Sequence, residues 1–352
     1  MIILKRRDMN KKLNSAVGML SLLLVGGAVA VGIAGERKAE TLLTAQKPIL
    51  IPGGPGGFDW MLVDGRSDRV FATHKGTKSV AIVDLKTDKA LPSPMVGTAQ
   101  GVAIDRRDNK IYLGDDEEHK VVILDYTTLK QTGEIAVTGP VDDVLYCPKN
   151  GMIYADHDDG TDVWVIDPKT DKIVGSVTVP AAPEKIEYDR TSDRIYQNIK
   201  SDSTIQVIDP ATNKVEKTFS TSPAVGPHGL AIDGKAQRLY SAGSNGKLIV
   251  IDLKTGKTIA AVDIEKGVDQ IAYDRTSQRI YCACHGAISV VQATPEGAKT
   301  LGKVATPNGS HTIAVDNKTH AVWTCYSDAK DSYLLKLVPW FCNDMVIGRT
   351  IG

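Results

Sequence analysis

GVAIDRRDNKIYLG (101–114), GLAIDGKAQRLYSAG (229–243) and QIAYDRTSQRIYCA (270–283) are three copies of one pattern. In each, a short apolar run ends in Asp, five mostly polar residues follow, and an aliphatic–aromatic pair opens the next apolar run. The aromatic recurs at Phe71, Tyr112, Tyr154, Tyr196, Tyr240, Tyr281 and Trp323, at intervals of 41, 42, 42, 44, 41 and 42 residues. A fixed period of this length marks stacked or radially arranged supersecondary units. Seven units of strand-like sequence predict an all-β chain, a seven-bladed β-propeller of four-stranded blades.

Each repeat divides into four strands. The first is the run before Asp, and the second begins at the aliphatic–aromatic pair. The third reads VAIVD (80–84), VVILD (121–125), VWVID (163–167), IQVID (205–209), LIVID (248–252) and ISVVQ (288–292). It is nearly continuous apolar, as suits a sheet covered on both faces by neighbouring blades. Turns such as LKTDK, PKTDK and LKTGK lead into a fourth strand, for example KIVGSVTVP (172–180). Val, Ile and Tyr fill the runs while Gly, Asn, Asp and Pro mark the turns. The seventh repeat has a third strand, YLLKLVP (333–339), and no good fourth one. KPILIP (47–52), just ahead of the first repeat, is expected to supply it and close the ring. The propeller is therefore placed at 47–339, after a linker at 35–46, with no role found for the tail WFCNDMVIGRTIG (340–352).

Lys plus Arg equals Asp plus Glu, 42 each, but residues 1–12 hold a net +4 and leave the rest near −4. That balance excludes a strongly basic nucleic-acid binder. The basic start leads into the uncharged SAVGMLSLLLVGGAVAVGIAG (15–35). Residues 1–34 read as a signal peptide with cleavage patterns at Ala28-Val29-Ala30 and at Gly32/Ala34, so the protein is expected to be periplasmic or secreted. The alternative is an uncleaved membrane anchor, since the stretch approaches the ~20 residues that span a bilayer. Five cysteines, an odd number without regular spacing, do not form a disulfide framework and read as buried thiols.

The VSVID-like strand, the D/P-x-T-x-K turn and the IY-containing strand together resemble YVTN-type, YncE-like seven-bladed propellers over about residues 47–338. The YVTN tetrapeptide itself survives loosely, as IYLG (111–114), IYQN (195–198) and LYSA (239–242). The resemblance implies a periplasmic or secreted repeat protein. Related propellers include lactonases and streptogramin lyases, so the fold leaves function open.

Chain direction sorts the loops onto two faces. First-to-second and third-to-fourth turns are uniform, whereas second-to-third loops and blade connections on the other face vary. Twelve residues before each repeat aromatic stand Asp59, Gln100, Asp142, Glu184, His228, Asp269 and His311, all polar and all ahead of an apolar strand. In a propeller this position rings the mouth of the central channel. Four carboxylates, two imidazoles and an amide there suit a cation, a cationic ligand or a metal. His74, His157 and His285 fall in neighbouring loops and complete the candidate binding set; His320 falls in a structural turn. CACH (282–285) lacks one residue of a haem-attachment motif, and HDDGTD (157–162) and GDDEEH (114–119) lack calcium-loop spacing. No catalytic residue, cofactor or nucleotide motif is identified.

The leading expectation is an exported, non-enzymatic, monomeric propeller that binds a small molecule or protein at the channel mouth. The alternatives are a metal-assisted hydrolase or lyase of the propeller lactonase type and a structural scaffold of the cell envelope.

Overall fold

In the computed structural model residues 41–340 are described; the expected signal segment, the first half of the linker and the tail beyond Trp340 lie outside the described residues. Seven antiparallel sheets follow one another along the chain, six with strands hydrogen-bonded in sequence order. Their first strands are Met61–Asp64, Ala99–Asp105, Val141–Cys147, Pro183–Asp189, Pro227–Asp233, Ile271–Asp274 and Ile313–Val315, for blades one to seven. The inner strands of blades two to seven pack against one another in turn, that of blade seven packs against that of blade one, and blade one meets blade two through its second strand, Arg69–His74. The expected seven-bladed propeller is thus the fold.

Closure is made by the N-terminal segment. Ile49–Ile51 pairs antiparallel with Ser332–Pro339, in the register Ile49↔Leu334 and Ile51↔Ser332. A second short strand, Leu43–Ala45, continues along the same edge with Leu43 opposite Pro339. Sequence alone leaves Leu43–Ala45 in the linker, because three residues carry too little periodicity to read. Leu43 and Ile51 are both buried.

The repeat aromatics explain the sheet packing. Trp323, Tyr112, Tyr154, Tyr240, Tyr281 and Phe71 are the largest fully buried side chains of the described residues, and Tyr196 is 2% exposed. Each sits on a second strand, where neighbouring blades cover both faces. The Tyr112 hydroxyl donates to Asp171 of the next blade (3.1 Å), and that of Tyr154 donates to Asn213 of the blade after (2.6 Å). A buried phenol needs such a partner.

The repeat Asp is a turn-former. Asp64, Asp105, Asp189, Asp274 and Asp316 each accept the backbone N–H two residues on, from Arg66, Arg107, Thr191, Thr276 and Lys318. Four residues after the aspartate position the chain turns left-handed, at Asp68, Asn109, Asp193, Gln237, Gln278 and His320. Cys147 replaces Asp in blade three, and there the left-handed position is Gly151, φ +74. A thiol is a poor acceptor for the turn's N–H groups, and glycine takes the left-handed conformation without steric cost.

Candidate functional site at the channel mouth

A β-strand points successive side chains to opposite faces. At the channel mouth this alternation breaks. The pairing of first and second strands skips between Ala99 and Val102, Val141 and Val144, Pro183 and Ile186, and Pro227 and Gly229. These bulges lie on the positions predicted to ring the mouth. A bulge re-aims side chains, and here it lets neighbours such as Asp142 and Asp143, or Glu184 and Lys185, face the same space.

That space is a cavity of about 230 Å³ lined by Asp59, Gln100, Asp142, Glu184, His228 and Asp269, six of the seven predicted ring residues. Trp60, Asp143, Lys185, Gln270, Asp158 and Lys200 complete the lining. His311 stands behind the wall, its Nδ1 2.6 Å from Asp269 Oδ2. Six carboxylates therefore face two ammoniums.

The floor is polar and tightly paired. The Lys185 Nζ donates to Asp143 (3.0 Å) and to the Ile186 carbonyl (2.8 Å), and lies 4.2 Å from the centroid of the Trp60 ring. Burial pulls the Lys185 ammonium down, but Asp143 and Glu187 outweigh it and hold its pKa above the ordinary value. Gln270 accepts from the Met61 and Ile313 N–H groups and donates to the Met61 carbonyl, joining blades one, six and seven.

The walls carry the charge. Lys200 bonds Glu184 and lies 3.9 Å from Asp158. Lys75 reaches Asp59 (3.5 Å) and Asp116 (3.3 Å). His228 Nδ1 is 2.8 Å from the Gly226 carbonyl, which turns Nε2 towards Glu184, 3.7 Å away. Burial pushes Asp59 up to about 6, with Lys75 opposing and Asp269 adding to the rise. Asp142 stands well above the carboxylate range, through burial and then the charges of Glu184, Asp156, Asp59 and Asp158. Glu184 is raised by burial, against the pull of His228 and Lys200. Carboxylates crowded together out of water favour whatever brings positive charge to them.

Donor atoms of Glu184, His228 and Asp269 lie within 4.8 Å of one another, as do those of Asp142, Asp158 and Glu184. Either grouping has the span to hold a cation.

The other predicted histidines do not line the cup. His74 is fully buried, stacked on Phe58 at 4.2 Å and hydrogen-bonded to Thr77 (2.8 Å) and Ser332 (3.0 Å), so it is a satisfied core residue. His157 stacks on Trp164 at 4.7 Å and meets Asp159 at 3.1 Å. His285 is exposed and stacks on His311 at 4.8 Å, one layer behind the wall. Lys185, Lys200 and Gln270 are cup-lining positions that sequence reading missed. Lys185 and Gln270 each follow a predicted ring residue, and the signal that points to them is a second polar residue where strand alternation calls for an apolar one.

Cys147, Cys282, Cys284 and Cys325 are free and buried, and burial pushes Cys284 up to about 11 and Cys325 up to about 12. Such thiols are not nucleophiles at neutral pH. Cys342 lies outside the described residues.

Neither a protein family nor a curated protein matches the chain. Among solved structures it is similar to Kuenenia stuttgartiensis hydrazine synthase, with a TM-score of 0.67 and 13% identity over 87% of this chain and 98% of that one. At that identity the likeness speaks for the propeller fold alone.

Proposed function

We propose that this is an exported, non-enzymatic propeller of the YVTN repeat kind that binds a small organic cation in the channel-mouth cup. One observation carries the reading: six carboxylates and two ammoniums line a single space of about 230 Å³. A wall so acidic attracts cations and repels anions. Ser, Thr and Cys are missing from the lining among the described residues, so the cup offers no hydroxyl or thiol nucleophile. The YVTN assignment rests on the repeat pattern, and export rests on the charge and apolar pattern of residues 1–34.

The test is thermal melting of the full chain with putrescine, spermidine and choline at constant ionic strength, beside acetate and phosphate as anion controls. A bound ligand raises the melting temperature with its concentration. Cations are expected to raise it, and the combined variant Asp142→Asn, Glu184→Gln, His228→Ala, His311→Ala to lose the rise. An equal rise in the folded variant overturns the placement.

A further inference from the structure

We infer that Glu184, His228 and Asp269 form a site for one divalent transition-metal ion on the side of the cup built by blades four, five and six. The inference deepens the reading of the cup as a cation site and gives one wall of it a specific chemistry.

The donors come from three consecutive blades, Glu184 and His228 on inner strands and Asp269 two residues ahead of the blade-six inner strand, and converge within 4.8 Å. Metal–nitrogen and metal–oxygen bonds of about 2.1 Å place tetrahedral donors about 3.4 Å apart. Small rotations of the Glu184 and Asp269 side chains therefore complete the site without backbone movement.

Each donor is also held from outside the triad. His228 gives its Nδ1 proton to the Gly226 carbonyl at 2.8 Å, which fixes the tautomer whose Nε2 lone pair faces Glu184. His311 approaches Asp269 Oδ2 at 2.6 Å and leaves the other carboxylate oxygen for an ion. Lys200 bonds Glu184, occupying with its ammonium the place of a positive charge. Metal-binding imidazoles and carboxylates depend on such outer partners. Asp142, beside them on the cup wall, adds a further carboxylate to the field.

The donor set selects the ion class. One imidazole nitrogen and two carboxylates suit Zn²⁺, Co²⁺ or Mn²⁺ better than Ca²⁺ or Mg²⁺, which prefer oxygen alone. Three protein donors leave coordination positions open towards the cup, where a ligand amine or carbonyl would reach the ion.

The experiment is titration of the chelator-treated full chain with Co²⁺, followed by visible absorption, with Zn²⁺ as competitor. One equivalent of Co²⁺ is expected to give d–d bands that Zn²⁺ abolishes. His228→Ala and Asp269→Asn should each weaken binding by about 100-fold, and His311→Ala by about 10-fold with a shifted band. His157→Ala, outside the cup, should leave the titration unchanged. Unaltered melting curves in the metal-free state establish that the variants fold, and His228→Gln serves if the alanine variant does not. Absence of a one-equivalent phase, or equal affinity in folded His228→Ala and Asp269→Asn, overturns the site. Organic-cation binding is measured separately in the chelated protein: if it persists without a metal phase, the metal site alone fails. A metal phase without any organic-cation binding keeps the site and removes the proposed function.

Discussion

The Lys185 ammonium of blade four lies 4.2 Å from the centroid of the Trp60 ring of blade one, so side chains from widely separated blades meet beneath the ring of acids. The same ammonium is 3.0 Å from the buried Asp143 carboxylate. The contact gives the cup a floor and fixes its depth, because neither group can leave without exposing a buried charge or an unfilled space.

Lys185→Met is therefore expected to destabilise the protein by about 3 kcal/mol, the usual cost of leaving one member of a buried ion pair unpartnered. Adding Asp143→Asn should recover part of that loss. Urea unfolding of the two variants and the parent measures both effects, and additive losses would show that the pair is not coupled.

Asp64 predicts an acid-dependent component of stability. Burial pushes its carboxyl up, but hydrogen bonds from Ser67, Tyr126 and Arg106 outweigh it and hold the pKa at about 2, below the ordinary 3.8. A folded-state pKa below the unfolded one means stability that is present above pH 4 and lost as pH falls towards 2. Its size is about 2 kcal/mol. Asp64→Asn should flatten the pH dependence of unfolding across that window; an unchanged slope would assign acid sensitivity to other carboxylates.

Ring closure predicts that Ile51→Ala costs about 3 kcal/mol, since Ile51 is 1% exposed on a strand that joins the two ends of the array. Deleting residues 42–52 should cause gross destabilisation, read by calorimetry. A truncated chain that melts with the parent would mean that blade seven is complete without that strand.

Gly151 predicts a turn effect. At φ +74, Gly151→Ala should cost about 1 kcal/mol, and Gly151→Asn less, because Asn tolerates the left-handed region. Equal melting temperatures for the two variants would place the cost elsewhere, in the approach to Arg107.

The proposed export predicts a shortened mature chain. Mass spectrometry of the protein recovered outside the cytoplasm should show an N-terminus after Ala30 or Ala34. A full-length mass in the membrane fraction would establish the anchor instead.

The amino-acid sequence alone records the number of blades, the positions of the repeat aromatics and aspartates, and the closing segment around Ile49–Ile51. Each of these is written in local spacing, which a repeat copies faithfully. It also placed six of the seven ring residues on one cavity, because the repeat phase locates the start of an inner strand. What those residues meet depends on the folded ring. His74 and His157 share a face with His228 in the sequence, yet Phe58 and Trp164 draw them into stacks away from the cup. Lys185 and Lys200 reach it because bulges and loop geometry re-aim them across the ring. Contacts between blades depend on residues a full period or more apart, and spacing along the chain carries no record of which of them will face each other.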